Sequence, residues 1–503
     1  MCSSRVYSNA VAKSPHHAAL LVGDAIDSVS PDAAGLSLRR PVDRGHVVNW
    51  ELQKTLWLRG LRSRYERASS SSPSAPPPAL FKNPKRLGEA AGGAVITLPL
   101  LCLDSVAEAA REVAFEELGY SKVAFVPSAE LAVASWCHDE IKEAEGAGAA
   151  SSGALLPAAS ARSAIAVDVG FSATTACAVF DGRALLTTVR RVDLGGKALT
   201  NVLKDAASFR AVDLRQEGVV VEAMKEGACF VSLDLARDLD LARRGLNALE
   251  WVLPDGTGEF GPGGTARPRL TKEERKAAAK AAALEARAAA EKAATEASAA
   301  AASSKKRPLS ASASRAPRQK EQKPKEETVV PLTLERFMVP EALFYPSDVG
   351  LPQGGIQEAV AACAAAAPAS LRPLLLSNVL LFGGGAACPG ISERLERELR
   401  PLVPAAVEVA VRVASSGKEG TRSNGENGEN GGGSNVDESK KANASGPALA
   451  PWRGGSLLAG NREWFESRAT TREQWEEARR EQRREREKLG RFGGGGGGGG
   501  ARR

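Results

Sequence analysis

The sequence predicts an α/β protein built around a nucleotide-clamping sheet, and three observations carry this. Residues 164–167 form an apolar strand that runs into Asp168-Val169-Gly170-Phe171-Ser172. A hairpin then turns at Asp181-Gly182, and Asp193-Leu194-Gly195-Gly196-Lys197 opens a helix. On either side, strand and helix patterns alternate. In such a sheet the strand supplies core, the glycines let backbone amides approach phosphate, and the acid at the strand end can hold magnesium-bound water. A clamp of this kind needs a second, similar hairpin near the chain start. Residues 1–30 contain no Asp-x-Gly followed by alternating strands. The pattern therefore points to an ATPase-derived architecture more strongly than to an ATPase.

Taken in order, residues 1–47 are weakly patterned and lead through Arg44-Gly45-His46-Val47-Val48 into a helix, with Asn49 as N-cap and Trp50, Leu52, Leu56 and Trp57 as its buried side. Residues 94–98 read as a buried strand. Asp104 is expected to cap a helix whose Val106, Ala110, Val113, Ala114 and Leu118 share a face, ending near Gly119. A strand at 122–126 and a helix at 128–136 follow. Segments 174–180 and 183–192 flank Asp181-Gly182 at hairpin distance. Residues 198–204 and 222–243 are expected to be helical, with a strand at 251–255. Order resumes at Leu334-Glu335-Arg336-Phe337. Beyond it lie a helix at 355–365, a strand at 378–382, a glycine loop at 383–385 and a helix at 391–399. Val407, Val409, Val411 and Val413 then alternate as a strand.

The chain has 503 residues, enough for two or three domains, but low-complexity stretches leave roughly 350 residues to fold compactly. A Ser/Pro-rich linker spans 67–93, charged low-complexity sequence spans 257–330, a Gly/Asn/Ser/Glu-rich stretch spans 415–446, and a basic Gly/Arg tail occupies 479–503. The folded parts are then 1–66 and 94–145 as a first lobe, 160–256 and 331–414 as a second, and 447–478 as a return to the first. The formal charge of +7 is concentrated at 305–325 and 479–503, which suggests acidic partners for tails rather than a basic folded face. Seven cysteines lie far apart with no CxxC pair, as for buried reduced thiols, and the four histidines have no metal-ligand spacing. No apolar leader and no membrane span is expected.

Several stretches carry a family resemblance. They are Arg44-Gly45-His46-Val47-Val48-Asn49-Trp50, Arg191-Val192-Asp193-Leu194-Gly195-Gly196-Lys197, Val252-Leu253-Pro254-Asp255, Glu335-Arg336-Phe337-Met338-Val339-Pro340-Glu341, Pro346-Ser347-Asp348-Val349-Gly350 and Gly384-Gly385-Ala386-Ala387-Cys388-Pro389-Gly390. With Pro451-Trp452-Arg453-Gly454-Gly455 near the end, the chain resembles the actin family, and within it the nuclear actin-related members. The insertions match nothing nameable. The resemblance implies a two-lobed fold of duplicated ribonuclease-H-like domains with a nucleotide cleft between them. The implied cofactor is ATP or ADP, with Mg²⁺ only alongside nucleotide. By position, Asp168, Val169 and Gly170 would form the second phosphate loop, Lys225 and Glu226 would flank the adenosine, and Gly384, Gly385 and Ala387 would line its other side.

Members of this family that cleave ATP briskly position the attacking water with a glutamine and a histidine, where this chain has Ser128 and Thr175. Neither has the reach or basicity of those groups, so weak nucleotide binding at most and negligible turnover are expected. The resemblance further implies a nuclear subunit of a histone-exchange remodeller that installs the Z-type variant of histone two-A, with the remodeller motor, companion subunits and the nucleosome as partners. Lys305-Lys306-Arg307-Pro308 and the basic residues after it fit an import signal, or weak nucleic-acid contact through basic tails. The competing reading is a nucleotide-hydrolysing actin-related protein of the cytoskeletal kind. Filament assembly requires repeated matching surfaces, which the long insertions disfavour. A sugar- or acetate-kinase-like enzyme is a third, remote reading, and no catalytic acid can be placed for it.

Overall fold

The computed structural model describes residues 7–13, 20–28, 37–71, 88–89, 92–146, 162–208, 212–254, 263–269, 328–414 and 446–493. The N-terminal segment forms a small antiparallel sheet of β1 (Val11–Lys13), β2 (Leu21–Val22) and β3 (Ser37–Arg39), with α1 (Asp24–Ser28) beside it and a hairpin of β4 (Val42–Asp43) and β5 (His46–Val47) after it. The turn between β4 and β5 places Arg44 at φ 47° and Gly45 at φ 87°. Helix α2 (Trp50–Ser71) then starts where expected: the Leu52 N–H donates to Asn49 Oδ1 at 3.0 Å, and Leu56 is fully buried.

The first lobe holds a three-stranded sheet of β6 (Gly93–Leu98), β7 (Lys122–Pro127) and a late-arriving β17 (Thr470–Thr471), in the order β17-β7-β6. Helix α3 (Asp104–Glu112) joins β6 to its parallel partner β7, and α4 (Ser128–Gly146) follows, running ten residues beyond the expected Trp136. Asp104 is not the cap of α3. Leu103 takes that position with extended backbone and no side-chain bond, and Asp104 is the first helical residue, where its charge still suits the helix dipole. The helix then widens into a π-turn at Val113–Glu117 before Gly119 ends it at φ 81°.

The second lobe is organised by a six-stranded sheet. Its order is β10-β9-β8-β15-β16, with β11 also paired to β9. Strands β8 (Ala164–Val169) and β9 (Thr174–Phe180) are antiparallel, and Asp181 and Gly182, both at positive φ, form the predicted turn. The expected strand over 183–192 is broken into β10 (Arg183–Ala184) and β11 (Arg190–Val192). Between them the Thr188 hydroxyl accepts from the Ala178 N–H at 3.0 Å and donates to Leu185 O at 2.7 Å, taking over the ladder's bonds. Helix α5 (Gly196–Ser208) follows. The helix expected over 222–243 is two, α6 (Gly218–Ala228) and α7 (Leu235–Arg243). The link between them spends its amides on other elements: Phe230 N–H on Arg336 O and Val231 N–H on Pro389 O. Asp234 caps α7 by accepting from Arg237 N–H.

Strand β12 (Leu249–Val252) lies between β13 (Thr265–Pro268) and β14 (Val329–Leu332). Both outer strands reach into the stretch assigned to the 257–330 insertion, so the folded lobe extends further than composition suggests. The basic run at 305–325 and the stretch at 415–445 lie outside the described residues. After α8 (Glu335–Glu341), α9 (Ile356–Ala366) and α10 (Arg372–Leu376) come β15 (Val379–Phe382), α11 (Ile391–Leu399) and β16 (Val411–Val413). Val407 and Val409 pack against the core without joining the strand.

Side chains alternate along the central strands as period-two patterning demands. Ile165, Val167, Val169, Val379 and Leu381 face one core with α5, α6, α9 and α11, whereas Ala164, Ala166, Leu380 and Phe382 face α4. Helix α12 (Ala450–Gly460) packs closely on α4, because a Cβ at Gly454 would fall 1.8 Å from Leu131 O. After α13 (Arg462–Arg468) and β17, α14 (Arg472–Gly493) continues well into what was assigned as a basic tail. Trp475 anchors it, stacked on Phe115 at 5.3 Å and donating to Glu108 at 2.8 Å, while Arg479 pairs with Glu112 and Glu116.

Candidate functional site

Strands β8 and β15 are parallel neighbours, with Phe382 opposite Asp168, so the chain leaves both at the same edge of the sheet. Loops at the carboxyl ends of adjacent parallel strands are where α/β sheets bind ligands. Here those loops are 169–173 and 383–387, and they are pressed together. Gly383 sits at φ 90°, and a Cβ on it would meet Asp168 Oδ1 at 2.6 Å; one on Gly385 would meet Val169 Cγ1 at 2.4 Å. These two glycines are required by packing. Gly384 is different: it is exposed, and a Cβ there would meet nothing within 4 Å, which leaves an open face on the loop.

Asp168, next to last in β8, is half-buried among these loops. Burial pushes its carboxyl up to about 6, against a weak opposing hydrogen bond from Ser128 Oγ at 3.4 Å. One edge still reaches solvent. No cation pairs with it among the described residues, so its charged form is poorly compensated. Ser128 opens α4 in the first lobe, and this contact is where the lobes meet at the site. Thr175 lies directly opposite Asp168 on β9. The two positions expected to lack water-positioning groups therefore do border the acid, with short hydroxyls only.

The Gly170 amide does not face a ligand. It closes its own loop on Ala173 O at 3.1 Å, while Gly170 O and Phe171 O accept from the Gly196 and Lys197 N–H groups that start α5. The N–H groups of Phe171, Ser172 and Ala173 have no protein partner among the described residues and are left for water or an anion. Lys225, on α6, donates to Thr200 Oγ1 at 3.0 Å and Gly196 O at 3.3 Å, which holds its ammonium beside this loop. Glu226 follows it, exposed. The Val231 N–H donates to Pro389 O, which ties the stretch after α6 to the stretch after the second loop. Burial pushes the Cys229 and Cys388 thiols up to about 12, and no cluster of metal-binding side chains occurs among the described residues.

The sequence reading missed Arg40. Its guanidinium lies 4.3 Å over the Phe171 ring and 3.2 Å from Glu222, one turn before Lys225 on α6. Nothing local in the sequence marks it, because its partners are more than 130 residues away.

Strand order, paired loops and an acid between two lobes define an actin-like α/β fold. The actin family model matches residues 1–487, and the chain belongs to the actin family. It is similar to actin-related protein 6 of Oryza sativa subsp. indica, 30% identical over 95% of this chain and 92% of that protein. Actin-related protein 6 of Arabidopsis thaliana is 30% identical over 89% and 84%, and that of Drosophila melanogaster 30% over 78% and 78%.

Proposed function

We propose that the chain is a non-catalytic, actin-fold scaffold subunit of a nuclear histone-exchange remodelling complex that deposits the Z-type variant of histone two-A. The observation that carries the non-catalytic part is the pair of short hydroxyls, Ser128 and Thr175, bordering Asp168. Neither can orient and deprotonate a water as phosphoryl transfer requires. The relatives named actin-related protein 6 support the choice of member. Low-affinity ATP or ADP, with Mg²⁺ accompanying it, fits the desolvated Asp168, the unpaired amides at 171–173 and the open face at Gly384. The basic run at 305–325 serves nuclear import.

Affinity purification of the tagged full chain tests the reading. Recovery of a remodelling motor with variant-histone-loading subunits is the expected result; recovery of filaments, or of the chain alone, overturns it. Purified protein should release no phosphate from ATP above background. Turnover that Asp168→Ala abolishes would restore the cytoskeletal-type reading. Unchanged nuclear accumulation after deletion of 305–325 would remove the import role.

A further inference from the structure

We propose that the chain closes its own cleft through a clasp centred on Arg40, so that the closed arrangement of the lobes does not depend on bound nucleotide; this rests on reading the cleft as kept for shape. The described residues 7–13, 20–28 and 37–49 belong to the first lobe by their anchorage. They run directly into α2, whose Trp50, Trp57, Leu58 and Leu61 pack with Phe115, Tyr120, Val123 and Trp475, and whose Lys54 pairs with Glu117 at 2.6 Å. Yet their outward contacts fall on the second lobe. Arg40 pairs with Glu222 and stacks on Phe171, Asp43 lies 3.7 Å from Lys197, and Arg191 donates to Arg44 O at 3.0 Å. Val219, at the start of α6, packs on the cluster of Ala10, Ala12 and Ile26.

These contacts converge on the wall that would touch a ligand's phosphates. Phe171 directly follows Gly170 in the phosphate loop, and its ring lies 3.7 Å from where a Cβ on Gly196 would be. Glu222 stands three and four residues before Lys225 and Glu226, on the same face of α6. A clamp closed by its ligand is bridged by phosphate and cation. Here a guanidinium from one lobe meets a carboxylate and an aromatic ring of the other, so protein side chains supply the bridge. Arg40 and Glu222 are 30% and 28% exposed, which makes the pair sensitive to salt.

Hydrogen exchange of the full-length protein tests the clasp, with the Gly196 and Lys197 amides as reporters, since their bonds to Gly170 O and Phe171 O hold the loop. Arg40→Ala should speed their exchange roughly three- to thirtyfold, the combined worth of a partly exposed ion pair and a cation–π contact. High salt should do part of this to the unaltered chain. Arg40→Lys should fall between, and exchanging the charges through Arg40→Glu with Glu222→Arg should recover protection. Millimolar MgATP should leave the unaltered chain's exchange as it was. Unchanged exchange in Arg40→Ala with native circular dichroism overturns the clasp, as does strong protection of these amides by MgATP in the unaltered chain. Arg40→Ala that fails to fold leaves Arg40→Lys and the charge exchange to decide. Failure to purify with a remodeller would sink the scaffold reading while leaving the exchange result untouched.

Discussion

Replacing Asp168 by Asn should make the ligand-free protein more stable at neutral and alkaline pH, and the gain should shrink on acidification. Burial raises the folded-state pKa of Asp168 from 3.8 to about 6, so the folded protein holds this proton more tightly than the unfolded chain does. A raised carboxyl pKa costs nothing below the unfolded value. The cost grows as pH climbs from about 4 to above 6, and it reaches about 3 kcal/mol as an upper figure when each pKa unit is worth about 1.4 kcal/mol. Asn keeps the shape and the Ser128 contact but carries no charge. Linkage then gives a stabilisation of about 1.6 kcal/mol near pH 5 rising to about 3 kcal/mol near pH 8, with the solvent-facing edge of the carboxylate trimming both. Denaturant titrations followed by tryptophan fluorescence at several pH values measure the difference. A pH-independent difference, or loss of stability in Asp168→Asn at alkaline pH, would refute the claim that the carboxylate is stranded.

Three further outcomes follow from packing. Arg394 is buried, bonds bidentately with Glu341 and donates to Ser232 O; Arg394→Met leaves Glu341 unpaired and should cost about 3–5 kcal/mol, much of it recovered by adding Glu341→Leu, as paired denaturation curves would reveal. Trp475→Ala should cost about 3–5 kcal/mol and expose α14 to limited proteolysis, because the indole both stacks on Phe115 and bonds Glu108. At the site itself, Gly385→Ala should destabilise by about 1–3 kcal/mol by driving a methyl into Val169, whereas Gly384→Ala should stay within about 0.5 kcal/mol in thermal melts.

The second lobe was legible because its signals are local. The two-residue turn at Asp181-Gly182 and the helix from Ile391 to Leu399 are each written within a dozen residues, and both appear as read. Errors fell where a distant partner decides the outcome. Periodicity over 222–243 could not foresee that Phe230 and Val231 would give their amides to Arg336 and Pro389. Charge pattern alone could not separate α14 from a tail, since Phe115 and Glu108, which fix Trp475, lie more than 350 residues earlier. At the site, the Gly170 amide closes its own loop on Ala173 O, a bond that glycine character alone does not foretell.

Both lobes hold a strand–helix–parallel strand unit, and they differ at its edge. In the second lobe, β15 is joined through a helix to a parallel β16 and carries β8 on its other edge, with the β8–β9 hairpin delivering Asp168. In the first lobe, β6 is joined through α3 to a parallel β7 in the same way, but among the described residues no strand lies on β6's other edge. Among the described residues, then, the first lobe shows no equivalent of the Asp168 hairpin beside β6. Arg40 lies above Phe171 and pairs with Glu222, so at this wall the contact between the lobes is made by protein side chains.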